Sequence, residues 1–126
     1  MKDINFQKGF RGEFTAKKSL GQNFLHAPNV ISAMVHAGNI SKNDTVLEVG
    51  PGKGALTTKL LETGARVIAI EKDDRAIPFL QEKFANYIKS GTKNGQLEII
   101  HGDILEFDIN KHFQNQEYIR NRCYCI

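Results

Sequence analysis

The chain has 126 residues, 40% of them hydrophobic and 25% charged, with 17 Lys and Arg against 14 Asp and Glu and a net charge of +3. That length bounds it to at most one domain, long enough for a real core but short for most catalytic α/β folds. The ordinary composition fits a soluble globular protein, and +3 alone does not mark a nucleic-acid binder.

Residues 1–18 show neither helical nor strand period and read as a basic arm. Lys2, Lys8, Arg11, Lys17 and Lys18 face only Asp3 and Glu13 in the first twenty positions. Such a cluster suits phosphate contacts, and equally describes a solvated terminus. No apolar stretch approaches the ~18–20 residues needed to cross a bilayer. The N-terminus has no signal-peptide pattern, so secretion is not expected. The stretch "SLGQNFLHAPNV" leads to a helix start at Pro28, with Val30, Ile31, Met34 and Val35 on one stripe and Gly38 as its stop.

"DTVLEVG" (44–50) is a buried-strand pattern closed by glycine. "ALTTKLLETG" follows as a helix with Leu56, Leu60 and Leu61 inward and Gly64 as its end. "RVIAIE" (66–71) is a second strand. "DDRAIPFLQEKFANYIKSG" gives a helix opened by an Asp cap, with Ile77, Leu80, Phe84, Tyr87 and Ile88 at helical spacing and Pro78 near its first turn. "LEIIH" (97–101) is a third strand, followed by "GDILEFD". Apolar strands separated by single helices imply a parallel sheet covered on both faces, the first half of a doubly wound α/β fold.

Ligands of such sheets sit beyond the carboxyl ends of the strands. Three acids stand there: Glu48 beside Gly50, Glu71, and Asp103. The loop "GPGKG" lacks the G-x-G-x-x-G spacing of a dinucleotide fingerprint and the G-x-x-x-x-G-K-[ST] of a P-loop. Glu48, two residues before the first glycine, would repel a pyrophosphate and favours a ligand with positive charge. S-adenosylmethionine, with an amine and a sulfonium, is that ligand. Glu71 lies 21 residues after Gly50, where an acid accepts from ribose hydroxyls, a spacing that also suits NAD. Asp103 is placed to accept from an adenine amine. Each acid taken singly also fits a helix cap or a solvated turn.

Four motifs in order, "KKSLGQNFL" (17–25), "VLEVGPGKGALT" (46–57), "VIAIEKD" (67–73) and "GDILEFD" (102–108), resemble the ribosomal RNA adenine dimethyltransferases over residues 11–118. Within that family, "KKSLGQNFL" and "GPG" look like the branch that dimethylates two adjacent adenosines near the 3′ end of small-subunit rRNA. The alternative is the large-subunit, macrolide-resistance branch, which more often has G-T-G. The resemblance implies a Rossmann-like S-adenosylmethionine-dependent methyltransferase sheet. It also implies cofactor contacts from Asn23 and Leu25, from the backbone at Gly50 and Gly52, from Glu71 to the ribose and from Asp103 to adenine. No metal is implied. The expected partner is small-subunit rRNA or the immature small ribosomal subunit, met in the cytoplasm by a monomer without membrane contact.

The family's N-[LI]-P-Y motif, which holds the target amine, is expected shortly after Tyr118, where this chain reads "YIRNRCYCI". No catalytic role is therefore carried onto Asn121 or Tyr124. The sequence divides into a basic arm (1–18), an incomplete cofactor-binding domain (19–118) and an aberrant tail (119–126). The expectation is a product truncated, through a frameshift near codon 118, before the later strands and the helical C-terminal domain. It is expected to be inactive alone. That tail would set Arg120 and Arg122 in a buried strand and leave the first core strand as an exposed apolar edge. A non-catalytic cofactor- or RNA-binding module is the competing reading, and a nicotinamide oxidoreductase is disfavoured by Glu48 and the glycine spacing. Cys123 and Cys125 form no disulfide framework and have the wrong spacing for zinc.

Overall fold

The computed structural model describes residues 6–8, 27–88, 95–113 and 123–126. The strands are β1 (Phe6–Lys8), β2 (Thr45–Val49), β3 (Arg66–Glu71), β4 (Leu97–His101) and β5 (Cys123–Cys125). The helices are α1 (Pro28–Ala37), α2 (Ala55–Glu62), α3 (Ala76–Lys83) and α4 (Ile109–Phe113). The strands pair in the order β1-β5-β2-β3-β4, every pair parallel. None of the described helices is long and apolar enough to cross a membrane.

Alternation along the strands divides the core between two faces. Val46, Val67, Ala69 and Leu97 pack with Leu60 and Leu61 of α2 and Leu80 of α3, joined by Val35 of α1. On the opposite face Leu47, Ile68 and Ile70 pack with Ile104, Phe107 and Ile109. Both faces of β2 and β3 are thus dry, which is why their sequences are apolar throughout. The three expected strands β2, β3 and β4 are neighbours in the expected order.

The tail differs from its expectation. Cys123–Cys125 pairs with β2 in the register Thr45↔Cys123, Val46↔Tyr124, Leu47↔Cys125, and β1 pairs with β5 on its far side. The Ile126 N–H donates to the Leu47 carbonyl at 2.8 Å, and the Val49 N–H donates to the Ile126 carbonyl at 2.9 Å. A parallel strand buried on both faces has unpaired amides and carbonyls along any open edge, and β5 satisfies those of β2. So β2 is an interior strand, and three residues of the basic arm form a strand at the sheet's edge. Arg120, Arg122 and the rest of the arm lie outside the described residues.

The helix expected from Asp73 onward is also shorter at both ends. Asp73 accepts the Arg75 N–H at 3.0 Å in a turn before the helix, and no side chain caps α3. The helix ends at Lys83, with Phe84 as its C-cap, and Tyr87 and Ile88 follow in turns. At the end of α1, Gly38 is right-handed and Asn39 carries the positive φ of 48°.

Candidate functional site

The C-terminal end of β2 runs into a loop with three left-handed glycines, Gly50 (φ 69°), Gly52 (φ 56°) and Gly54 (φ 84°). Positive φ is open to glycine at little cost, and this spacing folds Gly50–Gly54 into a tight turn leading into α2. The turn is held from three sides. The Gly50 N–H donates to the Ile70 carbonyl at 2.9 Å, and Glu71 Oε2 accepts the Gly52 N–H at 3.2 Å. From α3, Lys83 Nζ donates to the Lys53 carbonyl at 2.7 Å while lying over the Phe84 ring.

The glycines differ in what surrounds them. A Cβ on Gly54 would stand 2.5 Å from the Phe84 ring, so this glycine allows the loop to rest on α3's C-cap. A Cβ on Gly50 or Gly52 would meet nothing within 4 Å. That open space belongs to a cavity of about 670 Å³, within the range of small-molecule sites. Its walls are Ile31 and Met34 of α1, Glu48 and Val49 of β2, and the loop from Gly50 to Lys53. Ala55 and Leu56 of α2, Asp73, Arg75, Ala76, Phe79 and Ile126 complete them.

Glu48 is the buried acid on the wall of this cavity. It is 2% exposed, and Thr57 Oγ1, in the first turn of α2, donates to its Oε2 at 2.6 Å. Burial pushes its carboxyl up to about 7, opposed by the Thr57 hydrogen bond and assisted by the negative charge of Glu71. Nearby, Asp73 is held below the usual carboxylate range by hydrogen bonds from the Arg75 side chain and backbone.

Of the residues singled out from sequence, Gly50 and Gly52 form the cavity wall. Glu71 closes β3 beneath the loop, with Oε1 accepting the Asp73 N–H at 2.9 Å and Oε2 accepting that of Gly52. It braces the loop rather than lining the cavity. Asp103 stands two residues past β4, outside the cavity wall. It accepts the Leu105 N–H at 2.9 Å and pairs with Lys72 Nζ at 3.2 Å. Those contacts, the Leu105 amide first, hold its carboxyl below the usual range. Asn23 and Leu25 lie outside the described residues. Sequence reading missed Thr57, Lys83 and the Phe84–Gly54 contact. Thr57 carried a local signal as a hydroxyl in the first turn of the helix after the acid, whereas Lys83 and Phe84 lie about 30 residues from the loop they support.

Comparison with known proteins bears on the family and the fold. The chain is 42% identical over 108 residues to the ribosomal RNA small subunit methyltransferase A of Clostridium botulinum, covering 86% of this chain and 37% of that protein. It thus spans just over a third of that relative's length. A dimethyladenosine transferase from Plasmodium falciparum superposes with a TM-score of 0.54 at 33% identity, over 65% of this chain and 28% of the other. The 23S rRNA methyltransferase ErmE superposes with a TM-score of 0.56 at 28% identity, over 68% and 32%. These neighbours share the Rossmann-like methyltransferase fold expected from the motifs. The family of S-adenosylmethionine-dependent ribosomal RNA adenine dimethylases matches residues 13–126, and the chain belongs to it.

Proposed function

We propose that these residues form the S-adenosylmethionine site of an enzyme that dimethylates N6 of two adjacent adenosines near the 3′ end of small-subunit rRNA. One observation carries this reading. Gly50 and Gly52 take left-handed backbone, have open space where side chains would stand, and face a cavity at the C-terminal ends of parallel strands. The residues fit the cofactor: backbone can approach it closely, and the buried acid on the wall suits a ligand with positive charge.

Each residue has a role within that reading. The loop from Gly50 to Gly52 seats the methionine portion. Glu71 has lone pairs left after its two backbone amides, enough to accept from ribose hydroxyls. Asp103, kept ionised by Leu105 and Lys72, accepts from the adenine amine. Asn23 and Leu25 close over the site from the segment before α1. Bound S-adenosylmethionine supplies a methyl group activated by its sulfonium. The chain's contribution is alignment and exclusion of water, with Ile31, Met34 and Phe79 as apolar walls. The basic residues of the arm meet rRNA phosphates. "KKSLGQNFL" and "GPG" support the small-subunit branch over the large-subunit one, and within this reading the protein works in the cytoplasm, as a monomer, on the immature subunit.

Equilibrium dialysis with radiolabelled S-adenosylmethionine tests the site. S-adenosylhomocysteine is expected to displace the label and NAD is not, and displacement by NAD alone would overturn the reading. Methyl transfer to small subunits by the chain itself would exclude a purely binding module.

A further inference from the structure

Phe79 is more open to solvent than a cofactor wall requires. It is 48% exposed, and among the described residues it is one of four exposed large hydrophobics, of which Val49 and Phe79 both belong to the cavity wall. Cations flank the ring. Arg75, Phe79 and Lys83 follow at four-residue spacing, which sets them along one side of α3 about 6 Å of rise apart. Lys83 Nζ lies 5.9 Å from the centre of the Phe79 ring and is fixed there by donating to the Lys53 carbonyl at 2.7 Å. Lys53 is exposed on the same wall. Neither lysine pairs with an acid among the described residues. Arg75 is balanced by Asp73 at 2.9 Å, and Asp74 and Glu82 are exposed nearby, so the two lysines supply the positive charge of this surface. An exposed ring beside a fixed ammonium matches a nucleotide, whose base stacks on the one while its phosphate meets the other. An apolar side chain of a protein partner would use the ring and leave the ammonium idle.

We infer that Phe79 is a stacking platform for an unpaired nucleotide of the RNA substrate, with Lys83 and Lys53 holding the adjoining phosphate. The inference rests on the rRNA reading of the protein and adds a contact on α3, separate from the basic arm. Single-stranded RNA is the form that fits, because bases inside a duplex present no free face.

The chain has no tryptophan, so Phe79→Trp places a single indole at the platform itself. Titration of that full-length variant with a single-stranded RNA hexamer is expected to quench the indole saturably as a base stacks on it. Duplex RNA and inorganic tripolyphosphate, which bring phosphate without a free base face, are expected to leave the emission unchanged. No quenching by the hexamer, or equal quenching by tripolyphosphate, overturns the proposal. So does an emission already that of a buried indole before RNA is added, since another part of the chain then covers the ring. In anisotropy titrations with the labelled hexamer, Phe79→Ala is expected to weaken binding roughly 5- to 150-fold, and Phe79→Trp to retain it. Lys83→Gln is expected to make the slope of log affinity against log salt shallower by about 0.7, the single-strand increment for one phosphate, and an unchanged slope overturns the phosphate contact. Hexamer binding that Phe79→Ala leaves intact overturns the inference while the rRNA reading stands, whereas no binding by wild type removes both. An equal loss of S-adenosylhomocysteine affinity in Phe79→Ala would assign the ring to the cofactor and also overturn it.

Discussion

Gly52 and Gly54 share a left-handed backbone but not a purpose, and alanine at each position separates the two. Alanine in that conformation costs about 1–2 kcal/mol whatever surrounds it. At Gly52 that is the whole expected loss, because a Cβ meets nothing within 4 Å. At Gly54 the new Cβ would lie 2.5 and 2.6 Å from two atoms of the Phe84 ring. That ring is 3% exposed and set edge-on against Tyr87, so it has little room to retreat. Overpacking of this kind adds about 1–3 kcal/mol, for a total of about 2–5 kcal/mol at Gly54. Such a loss is a large fraction of a small domain's stability. Urea unfolding followed by circular dichroism measures both, with Gly102→Ala, which meets nothing within 4 Å, as a near-neutral control. Ligand affinity is expected to follow the opposite order, because the Gly52 side chain would occupy cavity space. Equal destabilisation at the two glycines, or a loss below about 1 kcal/mol at Gly54, would refute the packing argument.

Two further substitutions probe the frame around the site. Glu48 holds its proton more tightly in the folded chain than in the unfolded one, so its contribution to stability is full below pH 4.5 and is lost as pH rises to about 7. That rise corresponds to about 3 kcal/mol, and the stability of wild type relative to Glu48→Gln is expected to fall by that amount across the window. A flat difference from pH 4 to 8 by urea unfolding would show that the carboxyl is not buried as described. Gln96 Nε2 donates to the carbonyls of Leu61 and Ala65 at 2.8 and 3.0 Å, tying the entry to β4 onto the end of α2. Gln96→Leu leaves both acceptors without that donor and is expected to cost about 1–3 kcal/mol, read as a lower thermal midpoint. A midpoint at or above that of wild type would contradict it.

Strands β2, β3 and β4 were legible because β-branched, apolar runs of five or six residues have few other ways to be buried. The glycine loop was legible for the same local reason. The sheet's other two strands were not, since three residues carry no period and "FQK" and "CYC" become strands only through the open edge of β2. Asp73 was read as a cap because a helix starts nearby, yet two acids and an arginine precede it, and Arg75 takes the carboxylate instead. In the site, the spacing of Glu71 placed it near the ligand. What the spacing could not show is that its oxygens also hold the backbone of Gly52 and Asp73. Glu71 and Gly52 lie 19 residues apart and Lys83 and Lys53 lie 30 apart, and such pairs are set by how strands and helices stack, which no local pattern records.

The most direct test of the account is to titrate the isotopically labelled chain with S-adenosylhomocysteine and follow backbone amides by two-dimensional NMR. The expected result is saturable change at Gly50, Gly52 and Asp73, around the cavity and the Glu71 carboxylate. Change confined to the separate groove between α1 and α2, at Ser32 and Thr63, or no change at any amide, would contradict it.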